Sequence, residues 1–131
     1  MNNTVTVTRA MFADGRLIGL DDVLSSIRTS ERIEWRIRSL DATPEAGTDI
    51  DLLDLERRVS EAGAPGYRMT ADDLRNLARL LYQVIDCDIA GYSRDTTGDL
   101  EDEPIVTLEA FDSTDWNIRY APDRVTLSLD I

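Results

Sequence analysis

The sequence predicts a single α+β domain, a mostly antiparallel sheet of about five or six strands with two or three helices packed on one face. Three observations predict it. Ile33-Glu34-Trp35-Arg36-Ile37-Arg38 alternates apolar and charged residues, the mark of a half-buried strand. Two stretches, 52–62 and 71–85, repeat apolar residues at helical spacing. The last third carries short β-rich runs joined by tight turns, which favour an antiparallel meander. A chain of 131 residues, 42% of them hydrophobic, fills one core without a disulfide or a metal.

Residues 4–12 alternate Thr and Val, a first strand, and Asp14-Gly15 turns the chain back into a short partner over 16–18. Leu20, Val23, Leu24 and Ile27 space a short helix whose first turn holds Asp21 and Asp22, on the favourable side of the helix dipole. After the strand at 33–38, residues 41–47 form a loop containing Pro44. Thr48 with Asp51 suggests a cap, opening a helix that runs to about Ala62 and stops at Gly63 and Pro65. Thr70 with Asp73 repeats the device. The helix over 71–85 shows a wide apolar face of Leu74, Leu77, Ala78, Leu81, Val84 and Ile85. Strands are then expected over 88–92, 105–111, 115–120 and 124–131, with an acidic loop over 93–103. The same elements also allow a sheet divided into an N-terminal and a C-terminal part.

The charge alphabet excludes more than it proposes. There is no His and no Lys; all 14 cations are Arg, against 26 acids, for a net charge of −12. Without His the chain lacks the usual general base near neutral pH. A negative surface repels nucleic acid and anionic lipid. No Walker loop, Rossmann fingerprint, paired-Cys zinc site or nucleophile elbow is present. Cys87, the one cysteine, lies between Asp86 and Asp88, neighbours that oppose a reactive thiolate, and a reducing cytoplasm suits it. The opening MNNTVTVTRAMF has no signal-peptide pattern, and no window reaches the ~20 apolar residues of a membrane span. Neither a catalytic residue nor a cofactor or metal is expected. The pairs Asp21-Asp22 and Asp72-Asp73 are explained by helix starts.

The expected partner is a basic protein. Its candidate binding residues are Asp95, Asp99, Glu101, Asp102 and Glu103 of the acidic loop, with Trp116 as a partly exposed aromatic anchor. Trp35 shares a face with Ile33 and Ile37 and is expected in the core. Arg36, Arg38 and Arg119 lie on outward strand faces, to pair with Glu34 and Glu109 or to grip an anion.

Two stretches resemble a known group. Leu80-Leu81-Tyr82-Gln83-Val84-Ile85-Asp86, continuing to Ala90-Gly91-Tyr92, and Leu108-Glu109-Ala110-Phe111-Asp112-Ser113-Thr114-Asp115-Trp116 are similar to small bacterial cytoplasmic proteins of the toxin-immunity pool. In those, a helix ending in Q-V-I-D-G leads to a strand with G-Y. The resemblance implies an immunity protein that neutralises a basic toxin by occlusion. Two alternatives stand beside it: an acidic mimic of nucleic acid that inhibits a nuclease, and an acidic, salt-adapted domain with no macromolecular partner.

Overall fold

The computed structural model describes residues 3–94 and 100–128. In chain order the elements are β1 (Val5–Ala10), β2 (Phe12–Ala13), β3 (Arg16–Leu17), α1 (Leu20–Ser25), β4 (Ile27–Arg28), β5 (Arg32–Pro44), α2 (Leu52–Ala62), β6 (Tyr67–Thr70), α3 (Ala71–Arg79), β7 (Leu81–Arg94), β8 (Val106–Phe111), β9 (Asp115–Tyr120) and β10 (Thr126–Leu127). Six strands form one antiparallel sheet in the order β1-β9-β8-β7-β5-β6. The α+β class is as the sequence predicts, and the main sheet does not divide.

Strand alternation sorts the sheet into two faces. Ile37, Ile89, Leu108 and Ile118 stand in one cross-strand row, all fully buried. They share one apolar core with Leu20, Val23 and Leu24 of α1, Leu52 and Val59 of α2, and Leu74, Leu77 and Ala78 of α3. The next row on that face brings Trp35 opposite Gly91. A Cβ on Gly91 would stand 2.8 Å from Val106 Cγ1 and 3.0 Å from the Trp35 ring, so a larger residue here would push these side chains aside. α2 lies on the sheet chiefly against β5, α3 lies across β5, β6 and β7, and α1 packs on α3. Alternate residues Arg36, Ala90, Thr107 and Arg119 make up a row of the opposite face. Ala90 and Tyr92 are buried there yet stand outside the apolar core, and no described helix covers that face.

Several expectations are corrected. The third helix ends at Arg79, not Ile85, and Leu81 to Ile85 belong to β7. Leu81 and Val84 satisfy helical spacing with Leu74 and Leu77, but they are buried as strand residues against an extension of β5, with Ala42 paired to Val84 and Pro44 to Leu81. The aromatic and β-branched run Tyr82, Val84, Ile85 suits that pairing. The helix that the family resemblance implies at Gln83-Val84-Ile85-Asp86 is therefore a strand. β5 accordingly runs through the expected loop to Pro44, bent by irregularities after Ile37, Asp41 and Thr43. The short strand β6 has no counterpart among the elements that the sequence pattern predicts.

The expected final strand is two residues long where described and pairs with β4 instead of extending the meander. A turn from Ala121 directs the chain away, with both Arg124 and Val125 donating to Ala121 O, and β1 occupies the free side of β9. The end of that expected strand, 129–131, lies outside the described residues. At the second helix the cap is Asp51, which accepts from Asp54 N at 3.0 Å, while Thr48 Oγ1 donates to Glu45 O. Thr70 caps α3 as expected, accepting from Asp73 N at 3.1 Å. Among the described residues no helix is long and apolar enough to cross a membrane.

Candidate protein-binding surface

The described part of the acidic loop, 100–103, and Trp116 do not form one surface. The loop joins β7 to β8, at the end of the sheet where β8 begins, whereas Trp116 lies near the far end of the β8–β9 hairpin, opposite Ala110. A six-residue strand separates those ends by ~17 Å. Trp116 is also on the helix-covered face and is fully buried, its indole N–H donating to Ile18 O at 2.9 Å. The expectation of an exposed Trp116 is corrected: it shares the inward parity of Ile118, and its N–H finds a partner inside.

Glu101 is engaged in the fold. Arg124 bridges Glu101 and Glu31, with Nη1 to Glu101 Oε1 and Nε to Glu31 Oε2 both at 2.8 Å, and Ser93 Oγ donates to Glu31 at 2.7 Å. These bonds hold Glu31 and Glu101 below the ordinary carboxylate range, chiefly through the Arg124 guanidinium, and raise Arg124 in turn through Glu101 and Glu31. Asp102 and Glu103 are exposed. Asp95 and Asp99 lie outside the described residues.

The helix-free face of the sheet carries two unlike ends. At one, Glu34 is only 4% exposed and lies beneath three guanidiniums: Arg36 of its own strand, Arg68 of β6 at 2.8 Å, and Arg94 of β7. Burial alone would raise the Glu34 carboxyl, but the Arg94 and Arg36 guanidiniums hold it below its ordinary value. The stripe of Arg36, Arg38 and Arg119 therefore resolves into separate contacts. Arg36 binds Glu34, Arg38 grips Asp88 through Nε at 3.1 Å and Nη2 at 2.8 Å, and Arg119 Nε donates to Thr4 Oγ1 at 3.2 Å.

The other end is acidic and aromatic. Asp88, Glu109 and Asn117 stand in one cross-strand row, and Phe111 pairs across with Asp115. Phe111 is 77% exposed on this face. A shallow depression beside it is lined by Ser39, Asp86, Asp88, Glu109, Phe111 and Asn117. The turn after Phe111 is built locally: Asp112 and Ser113 hold φ of 52° and 56°, and Asp86 Oδ1 accepts from Asp112 N at 2.8 Å. Phe12, also exposed, leaves the same end, since Met11 N donates to Thr114 O. Phe111 is not among the binding residues expected from sequence, yet the inward parity of Leu108 and Ala110 is the signal that places it outward with Glu109.

Cys87 lies under this surface, on the core side. Burial pushes its thiol up to about 12, and the neighbouring Asp88, Glu109 and Asp86 carboxylates push in the same direction. It therefore stays protonated at neutral pH, unsuited to nucleophilic chemistry. Among the described residues no group of three or more acidic or thiol side chains is placed to hold a metal ion. No family model, no curated protein and no solved structure matches this chain.

Proposed function

We propose that this chain is a non-enzymatic, cytoplasmic binding protein that neutralises a basic protein partner by occlusion, as immunity proteins do to toxins. The observation that carries the reading is Phe111, an exposed aromatic set among Asp86, Asp88, Glu109 and Asp115 on a sheet face that no described helix covers. Hot spots combine short-range aromatic contact with surrounding polar groups, and an aromatic ring attracts Arg or Lys through its π face. The carboxylates raise the local concentration of a cationic target and steer its approach. The Arg38–Asp88 pair leaves Asp86, Glu109 and Asp115 to set the sign of this end.

The reading is tested by using three baits in a native-host lysate at graded salt: the natural chain, Phe111→Ala, and a doubly neutralised Asp102→Asn, Glu103→Gln loop. One basic protein should be held by the natural and loop-neutralised baits, released at high salt, and lost from Phe111→Ala. A partner lost only from the loop variant would return the site to the acidic loop. Retention by all three baits would remove both surfaces.

A further inference from the structure

We propose that β1 is a self-association edge, and that two copies of this chain join their β1 strands antiparallel, centred on Val7, into one continuous sheet. Among the described residues β1 pairs with β9 alone, and every residue from Val5 to Ala10 is exposed except the half-buried Val7. Two hydrogen bonds fix which backbone groups point away from β9. Met11 N donates to Thr114 O, and Ala121 N donates to Ile105 O across the β8–β9 pair. By the alternation of antiparallel ladders, Val5, Val7 and Arg9 turn their N–H and C=O toward β9. Those of Thr6, Thr8 and Ala10 point away from the sheet.

This edge lacks the usual guards against pairing. It contains no Pro and no carboxylate, its register with β9 is unbroken, and Arg9 is its one charge. The opposite edge, β6, is four residues long and is bracketed by α2 and α3. A chain of net charge −12 repels its own copy, so the approach is least opposed along an edge without acids.

The strand is also complementary to itself. With Val7 facing Val7 of the second copy, each Thr6 faces Thr8 of the other, and both turn their N–H and C=O outward for exchange, the Thr6 N–H of the second copy displacing the exposed Arg9 Nη1 that donates to Thr8 O at 3.1 Å. Val7 then makes the close non-hydrogen-bonded pair, with a Cα separation of about 4.5 Å. Arg9 falls opposite Val5 of the second copy, and the two arginines lie at opposite ends of the junction. On the helix side Val5, 40% exposed, joins the half-buried Val7 and Tyr120 in an apolar strip that the second copy extends. The two-fold axis is perpendicular to the sheet, so both Phe111 ends face the same way and the dimer is bivalent.

Sedimentation equilibrium of the whole chain over a concentration series tests this, together with Thr6→Pro, Val7→Cys and Val5→Cys. The 14.7 kDa chain should associate reversibly to twice its mass. Thr6→Pro removes an N–H unused within the monomer and should weaken association by roughly tenfold or more. Under mild oxidation Val7→Cys should yield a covalent dimer and Val5→Cys should not. A single-chain mass at every concentration, association indifferent to Thr6→Pro, or equal cross-linking of the two cysteine variants would overturn the proposal. If Thr6→Pro fails to fold by circular dichroism, the two cysteine variants decide. A monomer whose β1 edge instead takes up a peptide of another protein counts against it.

Discussion

The helix-free sheet face places two kinds of charge side by side. At the Glu34 end, one buried carboxylate is held by Arg36, Arg68 and Arg94. At the Phe111 end, Glu109 is exposed and Asp86 and Asp115 are half-buried around an aromatic side chain that is itself exposed. The first arrangement answers a need of the fold: polar groups taken out of water must be paired. In the second only Asp86 serves the fold, accepting from Asp112 N, and Phe111 keeps most of its surface in water. Engaged charge marks structure, and Glu109 and Asp115 beside the exposed Phe111 belong to the surface we propose for a partner. Net charge alone cannot make that distinction, and the acidic loop shows why: Glu101, counted with the binding acids from sequence, is tied to Arg124.

Exchanging the properties of the two ends tests the contrast. The largest effect is expected at Glu34. Glu34→Gln leaves the three guanidiniums crowded without their counter-charge and should cost roughly 3 kcal/mol in denaturant unfolding. Partner binding should survive wherever the variant is folded. A cost near zero would show that the arginines reach solvent and that the two ends do not differ.

Phe111→Ala should do the reverse. Stability should stay within about 0.5 kcal/mol, whereas affinity for the captured partner should fall by at least ~30-fold, about 2 kcal/mol. Isothermal titration and thermal unfolding of the same sample read both.

The pH dependence should follow the engaged carboxylates. Glu31, Glu34 and Glu101 lie below their ordinary value of 4.5 in the folded chain. The unfolded chain binds more protons in that interval, so their stabilisation is complete above about pH 4.5 and is lost as acidification passes through the folded values. The melting temperature should fall on acidification in the natural chain, and less steeply in Glu34→Gln. Equal slopes would deny Glu34 its role.

The smallest effect concerns the turn that presents Phe111. Ser113 holds a positive φ of 56°, so Ser113→Gly should relieve backbone strain and stabilise the chain by about 0.5–1 kcal/mol. Partner affinity should not weaken.

Much of the architecture was legible in the sequence, for identifiable reasons. Ile33 to Arg38 has a period of two, and Thr70 with Asp73 marks a cap, both local signals. The end of α3 was not legible. Leu81 and Val84 fit both helical spacing and the buried face of a bulged strand, and pairing with distant Ala42 and Pro44 decides between them. The last strand failed similarly, because only the fold reveals that β1 occupies the side of β9 left free by the meander. At the candidate surface the acidic-aromatic chemistry was legible and the address was not. Trp116 and Phe111 belong to one hairpin, but opposite parity buries the first and exposes the second.

The most direct measurement is the association rate of the captured basic partner as a function of ionic strength, with the natural chain and with Glu109→Gln, Asp115→Asn. If the Phe111 end receives the partner, the natural chain should show a rate that falls steeply with salt, and the doubly neutralised chain a slower and markedly flatter dependence. Identical salt dependence in the two proteins would place the contact elsewhere and contradict the account.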